Sequence, residues 1–158
     1  MAEPAGRHLF HLDQAASFVG REVAVSDWLK IEQERVSAFA DATMDHDWMH
    51  TDVARSRAES PYGGTIVQGF LMMSLLIRLH HAVGVVPGGT AYGLNYGMDR
   101  VRFTSVVPTG SRVRDRIRLK AFAPRGEGFL MTTEDTLEVE GQAKPAMVAD
   151  WLTLWYRA

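Results

Sequence analysis

The chain has 158 residues, 46% of them hydrophobic, a formal net charge of −2 and no cysteine. That length suits one domain, which buries roughly 68–70% of its unfolded surface. The missing cysteines exclude disulfides, thiolate metal ligands and a cysteine nucleophile, and the near-neutral charge gives no reason to expect nucleic acid or an anionic membrane as a partner.

Residues 1–16 are expected to form a loosely held arm ahead of a single domain over residues 17–158. The N-terminal stretch contains Glu3 and Asp13 and no apolar core of secretory type, which points to a cytoplasmic protein. Glu22 to Leu29 alternates well enough for a first strand. EQERVSAFADAT, from Glu32 to Thr43, has good helix formers and an apolar stripe at Val36, Phe39 and Ala40, so a helix is predicted there. Asp52 to Ala58 predicts a helical turn, and the ESPYGGT that follows is a loop by its Pro and Gly content. Ile66 to Val83 predicts a long helix, apolar on most sides, as a helix wrapped by a sheet would be. Its apolar stretch, Ile66 to Ile77, includes Gln68 and Ser74 and is too short and too polar to span a bilayer.

After Pro87-Gly88-Gly89 the pattern changes to period two. Arg112 to Phe122 sets Val113, Ile117, Leu119 and Ala121 on one face and Arg112, Arg114, Arg116, Arg118 and Lys120 on the other. APRGEG, Ala123 to Gly128, turns the chain. Phe129 to Glu140 then points Phe129, Met131, Leu137 and Val139 inward and Glu134, Glu138 and Glu140 outward. A hairpin about Arg125–Glu127 places Arg118 opposite Glu134, Arg114 opposite Glu138 and Arg112 opposite Glu140. Each such cross-strand pair is worth a few tenths to roughly 1 kcal/mol. The basic row therefore reads as half of a self-neutralised, solvated sheet face. Ala146 to Tyr156 predicts a closing strand, and the pattern as a whole is α+β with a mostly antiparallel sheet.

The chemistry-bearing stretch is Asp45-His46-Asp47-Trp48-Met49-His50. A carboxylate and an imidazole five apart lie about 140° apart on a helical wheel, so on one continuous helix they would diverge. They converge if the helix ends near Asp45 and the chain bends before His50. An acid at a helix end and a histidine on the next turn then form an acid–base pair held by backbone geometry.

MDHDWMH (Met44 to His50) and TIVQGFL (Thr65 to Leu71) resemble the two signatures of the MaoC-like, or (R)-specific enoyl-CoA hydratase, family. Those signatures are G-D-x-N-P-L-H and an I-x-H-G-x-L segment that opens a helix. The Trp-aliphatic-His ending is similar to the NodN-type branch, and NYGMDRVRFTSVVPTGSRVR (Asn95 to Arg114) resembles the family's strand-and-turn segment. The resemblance runs from Trp28 to about Leu119. It implies a single hotdog domain, a long central helix wrapped by the sheet, usually assembled as a homodimer. It implies a substrate that is an acyl-CoA or acyl carrier protein thioester, and no cofactor. The implied reaction is reversible syn hydration of a trans-2-enoyl thioester to an (R)-3-hydroxyacyl thioester. Asp45 and His50 would hold a water and share its protons, a task that suits an imidazole because it titrates near neutrality. Gly69 would offer its N–H, at the first turn of a helix, to the thioester carbonyl; close packing of helix on sheet is a compatible reason for that glycine.

Three positions depart from the family pattern. Met44 replaces its glycine where φ > 0 is expected. Asp47 replaces its asparagine and adds a second carboxylate beside the water, which would favour a charged imidazole. Gln68 stands where histidine is frequent and keeps a hydrogen-bonding group near the substrate. His46 falls at the variable position of the motif and faces solvent. His80 and His81 point about 100° apart on a helix and have no third ligand at metal spacing, so no metal is expected. Arg100 and Arg102 read as strand-surface residues, with CoA phosphates the alternative. Alternatives to a hydratase are a hotdog acyl-CoA thioesterase and a non-catalytic acyl-binding domain.

Overall fold

The structure, a computed structural model, describes residues 8–158. Its order is a 3-10 helix (Leu12–Phe18), β1 (Glu22–Val25), β2 (Leu29–Lys30), α1 (Gln33–Thr43), α2 (Trp48–Thr51), α3 (Val53–Glu59), α4 (Gly69–Val83), β3 (Thr90–Phe103), β4 (Arg112–Arg125), β5 (Gly128–Val139) and β6 (Met147–Arg157). The six strands form one antiparallel sheet ordered β1-β4-β5-β6-β3, with β2 also pairing β4. Among the described residues no helix is long and apolar enough to cross a membrane.

α4 is the centre of the packing. Leu71, Met72, Leu75, Leu76 and Leu79 recur at helical spacing and are buried on one face. They meet Val113, Leu137, Val139, Met147 and Trp151 from the sheet, and Ile31 and Val36 from the β2–α1 segment. The helix ends at Gly84, whose φ of 76° lets its N–H turn back to the carbonyls of His80 and His81. This is the central helix and antiparallel sheet of the expected α+β hotdog arrangement.

Several expected boundaries move. The first strand breaks in two because Ser26 leaves the ladder: its N–H bonds the Asp115 carbonyl and its hydroxyl accepts the Asp115 N–H. The long helix starts at Gly69 rather than Ile66. Val67 is bound backbone to backbone with Val107, and Ile66 forms a bridge with Pro108, so this stretch is extended. Apolar content alone does not separate such a segment from a buried helix. The β4–β5 turn is tighter than expected, because the strands continue to Arg125 and Gly128 and Gly126 takes a φ of 57° in the tight hairpin turn. The arm is not loose from Phe10 on: Phe10, Leu12 and Ala15 are buried, and Leu12 donates to Gly88. The rest of that expectation, residues 1–7, lies outside the described residues.

The hairpin register is as the charges predict. Arg118 pairs with Glu134 and Arg114 with Glu138. Arg112 reaches Glu140 at 2.9 Å and Arg114 reaches Glu138 at 2.7 Å.

The core also encloses charge. Val113, Asp115, Ile117 and Leu119 share the inward face of β4, and Thr133, Asp135 and Leu137 that of β5. His80 Nε2 lies 2.6 Å from Asp135 Oδ1 and 3.3 Å from Asp115 Oδ2, with all three residues buried. The Thr133 hydroxyl donates to the other oxygen of Asp135, whereas neither oxygen of Asp115 has a hydrogen-bond partner. Spacing along the chain offered His80 no ligand-type neighbours; the fold supplies two. Burial pushes the His80 imidazole down, but the charge of Asp135, the hydrogen bond that His80 makes to it and the nearby charge of Asp115 outweigh it and raise the group to about 9. Burial, with the Asp135 charge adding to it and His80 opposing it, raises Asp115 to about 7. Near neutrality a protonated His80 and a proton on Asp115 thus balance the cluster.

Both groups bind protons more tightly folded than unfolded, so both stabilise at low pH. The Asp115 contribution is lost as pH rises from 3.8 through about 7, and that of His80 from 6.5 through about 9. Stability to urea should therefore fall by a few kcal/mol between about pH 5 and pH 9. In Asp115→Asn the decline below about pH 7 should vanish and the higher step remain. Equal slopes in the two proteins would place the titration elsewhere.

Candidate active site

The bend that the Asp45–His50 pair requires is present, and Met44 makes it. α1 stops at Thr43, and Met44 takes a left-handed conformation with φ 58° and ψ 23°. The N–H groups of Met44 and Asp45 both return to the Ala40 carbonyl. This is the helix ending that glycine usually supplies. A side chain there costs roughly 1–2 kcal/mol. Met44 is 84% exposed, so no neighbour adds to that cost. The substitution for glycine keeps the bend.

Asp45 follows on the connection into α2. Its carboxylate is exposed and has no hydrogen-bond or ion-pair partner among the described residues. α2 is a single turn from Trp48 to Thr51, too short to persist unaided. Asp47 is its N-cap, with Oδ1 accepting from the Met49 N–H at 2.8 Å. The carboxylate expected beside the water is thus engaged at the start of the helix that carries His50.

Three successive carbonyls near the end of α2 are each tied by a different part of the chain. The Ser56 hydroxyl donates to Trp48 at 3.0 Å, the Ile66 N–H to Met49 at 2.9 Å, and the Gln33 side-chain amide to His50 at 2.8 Å. The Trp48 carbonyl also takes the Asp52 N–H that closes α2, whereas those of Met49 and His50 have no helical donor in so short a helix, so outside donors satisfy them. The His50 ring is half-buried, and its Nδ1 lies 2.7 Å from the Ile66 carbonyl. A carbonyl only accepts, so Nδ1 carries the proton, and in the neutral ring Nε2 is left with a lone pair. His46, by contrast, is exposed and 3.7 Å from Asp41.

Gly69 opens α4, as expected of a residue offering a free first-turn N–H. A Cβ at this position would lie 2.9 Å from the edge of the half-exposed Phe103 ring, which would have to shift, so the glycine also lets that ring pack closely on the start of α4. Gln68, the residue before it, turns inward. It is 3% exposed and its amide donates to the Val36 carbonyl at 3.0 Å, while Oε1 is buried without a partner. It ties α4 to α1 rather than facing open space. Arg100 pairs with Asp150 at 2.6 Å and with Glu134 at 3.2 Å, and Arg102 bonds its neighbour's carbonyl.

Two adjoining cavities, of about 380 and 190 Å³, run along α4 against β3. The first begins at Met73, one turn beyond Gly69; the second reaches Val85 and Val86. They share Ile77, Asn95 and Trp151. Neither is lined by Asp45 or His50. Gln33, which donates to the His50 carbonyl, and Thr65, whose hydroxyl donates to Gln33, were not legible in the sequence as neighbours of His50, although Gln33 is a half-buried polar residue on the first turn of α1.

The sequence profile described as MaoC like domain matches residues 14–140. Nodulation protein N of Rhizobium leguminosarum bv. viciae is 43% identical over 148 residues, 93% of this chain and 92% of that one. The 3-hydroxyacyl-thioester dehydratase Z of Mycobacterium tuberculosis is 46% identical over 136 residues, 85% and 89% of the two chains. Among solved structures, an (R)-hydratase from A. caviae involved in PHA biosynthesis has a TM-score of 0.69 at 21% identity, over 85% of this chain and 94% of that chain. At that identity the likeness shows the hotdog fold alone. The extent of the profile match and of these two sequence relatives makes the chain a member of the MaoC-like domain family.

Proposed function

We propose that the protein is a hydro-lyase acting on acyl thioesters, an (R)-specific enoyl-thioester hydratase working reversibly as a 3-hydroxyacyl-thioester dehydratase. The observation that carries this reading is the His50 tautomer: with Nδ1–H held by Ile66, Nε2 is free to take a proton. The name of the 46% identical relative, a 3-hydroxyacyl-thioester dehydratase, supports the substrate class.

In hydration, a water between Asp45 and His50 loses a proton to Nε2 as its oxygen bonds to C3 of the enoyl thioester. The electrons of the C2=C3 bond move toward the thioester carbonyl, whose oxygen gains charge beside the Gly69 N–H. C2 then takes the proton by way of the dyad, and H and OH have been added across one face. Asp45 accepts a hydrogen bond from the second O–H of the water, which stays on the oxygen as it becomes the 3-hydroxyl, and fixes its direction. The acyl chain, carried by coenzyme A or by acyl carrier protein, runs along the α4 groove through Met73 and Ile77.

A homodimer fits the same frame. β3 is the last strand of the sheet, and Tyr92, Leu94 and Tyr96 on it are each about half exposed. An apolar edge of that kind invites pairing with a second copy.

Loss of enoyl absorbance with crotonyl-CoA and longer enoyl-CoAs tests the reaction. Asp45→Asn and His50→Ala should each lose about 100-fold or more in rate with unchanged melting temperature. Wild-type rates in either variant would sink the dyad. Release of free thiol would mark a thioesterase instead, and binding without turnover an acyl-binding domain. For assembly, sedimentation of Leu94→Glu should show a monomer where the wild type shows a dimer.

A further inference from the structure

We infer that Gln33 is a positioning residue for His50, a role that rests on the proposed proton chemistry of that histidine. His50 is held at two points. Its ring is fixed by Nδ1 on the Ile66 carbonyl, and its main chain by the Gln33 amide on its own carbonyl. The two holds are linked. Gln33 Oε1 accepts the Thr65 hydroxyl at 2.6 Å, and Thr65 directly precedes the residue that receives the ring proton. Thr65 is buried, and its carbonyl is anchored by the Thr109 N–H at 2.9 Å. Gln33 therefore clamps the His50 backbone against the strand-like segment that orients the His50 ring.

The chemistry of the contacts leaves one amide orientation. The His50 carbonyl can only accept, so the NH₂ group faces it; Oε1 then meets the Thr65 hydroxyl. The same NH₂ group lies 3.3 Å from the Ser37 hydroxyl. A donor and an acceptor are both needed, at the reach of a glutamine. A carboxylate would set oxygen against oxygen at His50, and an apolar side chain would leave its carbonyl without the donor. α2 is one turn long and cannot resist that loss through its own hydrogen bonds. The expected consequence is a displaced or rotating imidazole with the fold otherwise intact.

The test compares wild type with Gln33→Glu, Gln33→Met, Thr65→Val and Thr65→Ser, using enoyl-CoA turnover and NMR of histidine labelled with ¹⁵N. Misplacement of about 1 Å can cost on the order of 100-fold, so both Gln33 variants should lose between roughly 10-fold and 100-fold in kcat, with KM changed less than about threefold. Their His50 Nδ1–H signal, sharp in the wild type, should broaden or disappear. Thr65→Val should lose activity in the same sense, and Thr65→Ser, which keeps the hydroxyl, should restore it. Gln33 variants with wild-type kcat, or with lowered kcat and an unchanged Nδ1–H signal, would overturn the assignment. If the wild type turns over no enoyl thioester, the hydratase reading fails, while the ring signal still decides whether Gln33 holds His50.

Discussion

The burial of one face of α4 by the sheet is the constraint on which the rest of the molecule depends. Leu71, Met72, Leu75, Leu76 and Leu79 fix where the helix lies, and so fix where it can begin. Residues 65–68 reach that beginning as an extended segment, tied to Val107 and Thr109. The same segment accepts the His50 ring proton at Ile66 and donates to the Met49 carbonyl. Core packing is thereby transmitted, through a few backbone hydrogen bonds, to the orientation of one imidazole. A four-residue helix far too short to hold itself becomes a fixed platform because the core holds the residues that grip it.

Polar groups inside this framework have divergent tasks. Gln68 stitches α4 to α1, and Gln33 bridges α1, α2 and the extended segment. Asp47 and Asp52 start two successive short helices, each by accepting a main-chain N–H. The carboxylates at the bend thus differ in kind: Asp47 is structural, while Asp45 is left unengaged among the described residues. A buried imidazole between two carboxylates lies at the other end of α4, remote in sequence from Asp45 and His50. Such groups persist in a core only when proton or hydrogen bond meets each charge.

The features legible in the sequence were those with a local or periodic cause. The α1 stripe, the alternating strands and the complementary charges across β4 and β5 each depend on neighbours at fixed spacing, and the observed pairs Arg114–Glu138 and Arg118–Glu134 follow. The Asp45–His50 motif was legible through family resemblance, and the need for a bend between them through helix geometry alone. What escaped was non-local. Asp115 and Asp135 occupy inward slots of strands whose charged outward rows draw attention away from them, and only the fold brings His80 between them. Gln33 looked like an ordinary first-turn residue, because its partners are 17 and 32 positions away. Ile66 and Val67 looked helical because apolar content is the same in a buried strand and a buried helix.

Met44 has a bearing on how this chain can change. It holds a left-handed backbone at a solvent-facing position, immediately beside Asp45, the acid of the proposed dyad. Its side chain meets almost nothing, so the backbone cost is not offset by packing. The chain therefore carries an unused reserve of stability at a place where a return to glycine would leave the bend in place. A lineage moved to a hotter environment could recover it in a single substitution, without repacking the core or touching a reacting atom. Adaptation to temperature and adaptation of the chemistry are, at this bend, separable by one residue.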